Sequence, residues 1–299
     1  MNIKRTQLSS SAIWIIACRP KTLWAAFSPV LIGTAIAYSD GFVHLLSASV
    51  ALLFAVFIQI GTNFCNDVAD FKKGADTKER KGPLRATQAG LVSPQTMIWA
   101  TSLAFGIAFL FCLYLIYRAG WPIAIIGIFS ILFGILYTAG PFPLGYHGLG
   151  DLFVLVFFGP VAVVTTYYVQ ALEINWIVIL AGFPPGFLSV AILVVNNLRD
   201  REEDAKVGKK TWAVRFGKTF ARLEYVTCIG GAVIIPVFLV FRLSERMYAL
   251  TTILILILAL PAIRKMFNAT SGTVLNPLLG YTAKLLLLYS VLFAMGWNL

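Results

Sequence analysis

The chain has 299 residues, 59% of them hydrophobic and only 12% charged, with a formal net charge of +11 and a mean hydropathy of +0.83. A soluble domain carries about 25% charged residues, so this composition excludes an ordinary water-soluble globule and points to an integral membrane protein. The basic excess then reads first as loop charge that orients the chain in a bilayer, ahead of a nucleic-acid surface.

A spanning helix needs about 20 mostly apolar residues. Nine runs qualify, at 14–38, 43–66, 96–117, 121–139, 152–171, 176–198, 219–241, 247–264 and 279–298. The expected fold is all-α, about nine transmembrane helices around a central cavity, in a single domain over 1–299. No run shows the strict alternation of a barrel strand. The first run contains Pro20 and Pro29, so it is expected to kink or to begin after Pro20. Lys4 and Arg5 precede it, but no small-residue cleavage site follows, and no secretory leader is expected. Cys18, Cys65, Cys112 and Cys228 lie in or beside apolar runs without paired spacing and read as small buried residues.

With the N-terminus placed in the cytoplasm, 20 of the 24 Lys and Arg fall on cytoplasmic segments and only Arg118, Arg242 and Arg246 on outer ones, with Lys284 inside the last span. That bias obeys the positive-inside rule and supports an odd number of spans. A bacterial-type inner (plasma) membrane is the expected location.

Two polar clusters then lie on the cytoplasmic side, each after an even-numbered run: NFCNDVADFKKGADTKERKGP at 63–83 and NNLRDREEDAKVGKKT at 196–211. Asp67 and Asp200 are 133 residues apart, and each is followed by glycine, lysines and a threonine. This suggests a weak repeat, with 14–139 and 152–264 as its halves and 279–298 as a final helix; membrane repeats commonly share a site at their interface. Asn63, Asp67 and Asp70 share one helix face, with Asn66 beside them; Asn196, Asp200 and Asp204 share another. Carboxylates at membrane depth cost several kcal/mol unless they face water or a counter-charge. Two such faces on one cavity need a cation between them. Oxygen ligands suit Mg²⁺, which binds through one or two carboxylates plus phosphate oxygens and keeps several waters. Arg19, Lys21, Lys72, Lys73, Arg80, Lys81, Arg85, Lys209 and Lys210 surround the acids on the same side, and acids, metal and bases together describe a diphosphate site. Each base alone can equally be a topology determinant.

At these residues the chain resembles the UbiA superfamily of intramembrane prenyltransferases. Asn66-Asp67-x-x-Asp70 with Gly74 and Asp76 is similar to its first aspartate-rich motif. Asp200-x-x-x-Asp204 followed by Gly208-Lys209-Lys210-Thr211 is similar to its second. The stretches RPKTL at 19–23, GPLRATQAG at 82–90 and LYTAGPFPLGYHGLGD at 136–151 resemble the branch that prenylates 1,4-dihydroxy-2-naphthoate. The resemblance implies that Asp67, Asp70, Asp200 and Asp204 hold Mg²⁺ on a polyprenyl diphosphate. Asn66 and Asn197 would complete or orient that shell, and Asn63, Arg19, Lys21, Lys72, Arg85 and Lys209 would bind the diphosphate alongside them. It further implies transfer of the polyprenyl group to the naphthoate ring with loss of carbon dioxide and diphosphate, giving demethylmenaquinone, and an apolar tunnel for the tail. Asp76 is either an outer partner of the acids or a cap of the loop.

Further positions carry paired readings. Tyr137 can stabilise an allylic cation through its ring or belong to the interfacial aromatic belt. Asp151, near Tyr146 and His147, can orient the acceptor hydroxyl or cap a helix. His147 lacks a nearby histidine as a metal partner, since His44 falls at the opposite side, and Lys284 either snorkels or meets a substrate carboxylate. Two alternative functions stand beside the naphthoate reading. One is prenylation of another aromatic acceptor, such as 4-hydroxybenzoate, homogentisate or haem. The other is a cation-coupled transporter, although transporters place their acids near the midplane and these sit at helix ends.

Overall fold

The break expected in the first apolar run falls at Arg19. The computed structural model describes residues 8–75 and 81–299; Asp76 and Arg80 lie outside the described residues. Helix α1 (Ser10–Cys18) is capped by the Ser9 hydroxyl, which accepts from the Ala12 amide, and Arg19 then adopts a left-handed conformation (φ 52°). Pro20 opens α2 (Pro20–Ser39) at its first turn, where its missing N–H costs nothing. The nine residues of α1 are a separate helix that the run at 14–38 had merged with the span.

Then follow α3 (Leu45–Lys72), α4 (Pro94–Ala119) and α5 (Trp121–Leu136). Ser93 and Pro94 start α4 by the same logic, with the Ser93 hydroxyl accepting from the Thr96 amide. The run at 152–171 is α6 (Gly150–Val156), a π turn at Phe157–Val161 and α7 (Ala162–Ala171). Helices α8 (Trp176–Lys206), α9 (Trp212–Leu243), α10 (Leu254–Asn268) and α11 (Asn276–Asn298) complete the chain. Among the described residues eight helical segments are long and apolar enough to cross a membrane, and α5, apolar but 16 residues long, makes a ninth. The chain is an integral membrane protein of all-helical fold.

α8 is the central post: 67% of its most apolar window is buried, against 28% for α4. Helices in lipid gain little from hydrophobic burial and associate through close backbone packing at small residues. At the π turn, Gly159 leaves helical geometry (φ −113°, ψ −116°) and α8 presents Gly182 and Gly186. A Cβ on Gly182 would lie 2.5 Å from the Pro160 Cα, and one on Gly159 would lie 2.9 Å from the Gly182 carbonyl oxygen. The α6–α7 kink therefore seats directly on the α8 backbone. It turns Phe157, Phe158 and Val161 toward the central cavity, which they line.

The polar clusters are helical beyond their apolar runs. α3 continues to Lys72 and α8 to Lys206, so both motifs project from the same end of the bundle on rigid elements.

Candidate active site

Both motif helices open on one cavity of about 270 Å³. Its polar end is formed by Arg19, Asn63, Asn66, Asp70 and Arg85 from the first cluster and its surroundings, and by Asn196, Asn197 and Lys209 from the second. Its depth is apolar, walled by Ala51, Phe54, Ile58, Ile126, Phe133, Phe153, Phe157 and Ile192. This is the shape an amphiphile with a charged head would fill.

Asp70 is the first-cluster carboxylate on the cavity. It is buried; its Oδ1 accepts from the Tyr146 hydroxyl at 2.9 Å and its Oδ2 pairs with Arg85 Nη2 at 3.1 Å. Asp67, one helical turn back, does different work. Its two oxygens accept the backbone amides of Ala86 and Thr87, each at 3.0 Å. Asp67 thereby fixes the loop that carries Arg85, and its side chain does not line the cavity. Asn63 ties α3 to the α1–α2 break, donating to the Cys18 carbonyl at 2.9 Å and the Thr22 hydroxyl at 3.1 Å. The Asn66 side-chain carbonyl accepts from Thr138.

In the second cluster Asp200 is clasped by its neighbour Arg199, through Nε at 2.7 Å and Nη2 at 2.6 Å. Arg199 also donates to Asn196 at 2.7 Å and to Asn276 at 3.3 Å, and Asn276 donates to the Lys81 carbonyl at 2.8 Å. The pair thus joins α8, α11 and the loop after the first motif. Asp204 is buried, with Oδ1 3.4 Å from Lys209 Nζ, while its Oδ2 has no partner among the described residues. Burial works against the Lys209 ammonium, but Asp204, Asp70 and Asp200 outweigh that cost and hold its pKa above the ordinary lysine value. Carboxylates of both motifs therefore act on one lysine at the mouth of the cavity.

Tyr146 links the two clusters. Besides its bond to Asp70, its ring lies 4.3 Å from Lys73 Nζ and 5.5 Å from Lys209 Nζ, and its carbonyl accepts the Lys210 amide at 2.8 Å. Lys73 also donates to the Thr138 carbonyl at 2.6 Å. Sequence reasoning counted Lys73 only among the bases around the acids; it did not give Thr138, Arg199 or Asn276 a place in the site, and it set Tyr146 only beside the acceptor. Helix phase separates the two lysines: Lys73 falls at i+7 from Asn66 and i+3 from Asp70 and so follows their face, whereas Lys72 does not.

Not every expected residue reaches the cavity. Lys21 and Lys72 are exposed and absent from its lining, as residues on outward helix faces must be. Tyr137 does line it, and its hydroxyl sits so close to Gly150 that a Cβ there would be 2.9 Å away. Asp151 is buried but lies off the lining, within hydrogen-bonding reach of Glu224 on α9. His147 stacks on Phe142 with centroids 3.8 Å apart and shares a proton-bearing contact with the Pro143 carbonyl, away from the acids. His44 caps the opposite end of α3. Lys284 is exposed on α11.

Among the described residues no three His, Cys, Asp or Glu side chains stand close enough to hold a metal by themselves. A magnesium ion that arrives with a diphosphate needs only one or two carboxylates and keeps water on its other positions. Asp70 lines the cavity, whereas Asp200 and Asp204 do not; Asp204 is near enough to feel the charge of Asp70 and keeps an Oδ2 unpartnered among the described residues, so Asp70 and Asp204 fit that requirement.

A bundle charged at one end and apolar in its depth is the architecture of an enzyme that handles an amphiphile within the bilayer. Residues 26–288 match the UbiA prenyltransferase family, and the chain belongs to that family. It is 37% identical over 297 residues to the 1,4-dihydroxy-2-naphthoate octaprenyltransferase of Haemophilus influenzae, with 95% of each chain covered. Against that of Escherichia coli it is 36% identical over 298 residues, covering 97% of this chain and 96% of the other. A UbiA homolog from Aeropyrum pernix superposes with a TM-score of 0.67 at 13% identity, covering 92% of this chain and 96% of that one. A UbiA homolog from Archaeoglobus fulgidus bound to DMAPP and Mg²⁺ gives 0.59 at 19% identity, covering 94% and 98%. These two likenesses establish the fold.

Proposed function

We propose that the chain transfers a polyprenyl group from polyprenyl diphosphate to 1,4-dihydroxy-2-naphthoate in menaquinone biosynthesis. One observation carries the mechanism: both motif helices end on the same cavity, with cations at its mouth and apolar walls behind. Near-full-length similarity to 1,4-dihydroxy-2-naphthoate octaprenyltransferases supports the acceptor.

The donor's isoprenoid tail lies along the apolar walls. Its diphosphate rests among Arg19, Arg85 and Lys209, whose charges offset those of the phosphates. When bound, Mg²⁺ neutralises negative charge on the leaving diphosphate, with Asp70 and Asp204 as its carboxylates; Asp67 and Asp200 hold the surrounding loop and helix in place. The allylic C–O bond breaks and its electron pair leaves with diphosphate. The Tyr137 ring faces the cavity where the cation forms and stabilises it by about 1–2 kcal/mol when water is excluded. The electron-rich naphthoate carbon that bears the carboxyl group forms the new C–C bond. The carboxylate then leaves as carbon dioxide, and the electron pair of its bond to the ring restores aromaticity and gives demethylmenaquinol, the reduced form of demethylmenaquinone.

The polar end faces the cytoplasm in the orientation that places most Lys and Arg inside, in the inner membrane of a bacterial-type cell. The test is an acceptor panel: purified protein with Mg²⁺, a polyprenyl diphosphate and, in turn, 1,4-dihydroxy-2-naphthoate, 4-hydroxybenzoate and homogentisate, with product masses measured. A prenylated, decarboxylated naphthoate product is expected. Prenylation of hydroxybenzoate without the naphthoate product overturns the acceptor assignment.

A further inference from the structure

A second cavity, of about 120 Å³, opens on the same end of the bundle but outside the first. Its wall carries Lys81 from the loop after the first motif, Arg201 from α8, and Lys218 and Arg222 from α9, with Glu202 as its one acid among the described residues. Arg199 also borders it but is already committed to Asp200. None of the polar residues that line the first cavity lines this one. Its volume far exceeds the roughly 10–15 Å³ that one water needs.

Four lining cations face one lining acid among the described residues; Glu203 and Asp200 also act on Lys81 from outside the lining, and Asp200 is itself paired with Arg199. Glu202 spans the cavity, 2.8 Å from Lys81 and 3.8 Å from Lys218, yet it is 56% exposed, and such clasps are weak. Arg222 is held in place by donating to the carbonyls of Met266 at 3.0 Å and Ala269 at 3.4 Å. Arg201 Nε is buried and has no partner among the described residues. A buried donor in a native site ordinarily has an acceptor. The Ser271 hydroxyl on the loop before α11 adds a polar group to the rim.

We propose that this cavity binds a phosphate group, as an anionic site separate from the catalytic cavity. A tetrahedral oxyanion offers several acceptor oxygens at once. It would satisfy Arg201, replace Glu202 between Lys81 and Lys218, and use guanidinium donors that suit phosphate geometry. The site lies at the end of the helices, where the phosphate could be free in solution or belong to a lipid headgroup in the adjacent leaflet.

The test uses full-length protein in neutral detergent with EDTA, so that magnesium-dependent binding in the first cavity is absent. Binding is read as a thermal shift against inorganic phosphate, short-chain phosphatidylglycerol and short-chain phosphatidylcholine at constant ionic strength. Saturable binding of phosphate or phosphatidylglycerol is expected. The Arg201→Gln/Lys218→Gln variant should weaken it at least tenfold, while Arg85→Gln, in the first cavity, stays within twofold. Phosphatidylglycerol binding at least tenfold tighter than inorganic phosphate identifies the headgroup as source; the reverse order identifies a soluble anion. Should the double variant not fold, Lys218→Glu at an exposed position must produce the same loss. No binding of either probe, or binding unchanged by these variants, or binding lost instead in Arg85→Gln, overturns the proposal.

Discussion

The Tyr146 hydroxyl donates to Asp70 at 2.9 Å while its ring lies 5.5 Å from the ammonium of Lys209. One side chain on the loop between α5 and α6 thus couples the acid of the first motif to the lysine of the second. Tyr146→Phe keeps the ring and deletes the bond to a charged acceptor, worth about 1.5 kcal/mol. A roughly tenfold fall in kcat/KM is expected, measured as initial rates in nanodiscs with the melting temperature little changed. Full activity would show that Asp70 needs no help from this loop.

Asp67 separates anchoring from ion binding. Both of its oxygens hold backbone amides, so Asp67→Ala should release the loop as well as abolish turnover. Hydrogen exchange at the amides of Ala86 and Thr87 is expected to accelerate in Asp67→Ala and less in Asp67→Asn, which keeps one acceptor. Unchanged exchange in Asp67→Ala would deny the anchor.

The Arg199–Asp200 pair is almost wholly buried, with side-chain exposures of 1% and 6%. Removing one member of such a pair strands the other and costs about 3–5 kcal/mol, whereas replacing both by apolar groups can be nearly neutral. Arg199→Leu should therefore melt well below the Arg199→Leu/Asp200→Leu double variant, though the double variant is inactive. The check is a thermal-unfolding cycle in detergent. Additive losses would mean that the pair is not coupled.

The sequence makes the spans legible because bilayer thickness writes itself as runs of apolar residues. Eight segments and the shorter α5 correspond to the nine runs, and Pro20 marks the break beside Arg19. Hydropathy ended α3 and α8 too early, since helices that emerge from lipid keep their hydrogen bonds while their side chains become charged. Spacing identified the acid-bearing faces but not the role of each acid. Asp67 and Asp70 are three residues apart, yet one faces a loop and the other the cavity. Arg199 appeared only as a topology charge, because nothing in a linear pattern says that a side chain folds back onto its neighbour. The meeting of Asp151 with Glu224, 73 positions apart in sequence, depends on how α6 packs near α9 and leaves no local signal.

Gly182 tests the packing of the kink on α8. Its Cβ would fall 2.5 Å from the Pro160 Cα, and backbone cannot give way as a flexible side chain would. Gly182→Ala is expected to cost about 1–3 kcal/mol through overpacking, read as a lowered unfolding temperature. Wild-type stability would mean that α7 and α8 separate readily there.

In the proposed mechanism, acids of both motifs act on one diphosphate-bound ion. Mn²⁺ in place of Mg²⁺, with a non-ionising geranyl thiodiphosphate, gives a direct reading through ³¹P relaxation, since enhancement requires metal and phosphorus at one site. Strong enhancement is expected in the wild-type protein, with loss in Asp70→Ala and, separately, in Asp204→Ala, both folded. Undiminished enhancement in either variant would contradict the account.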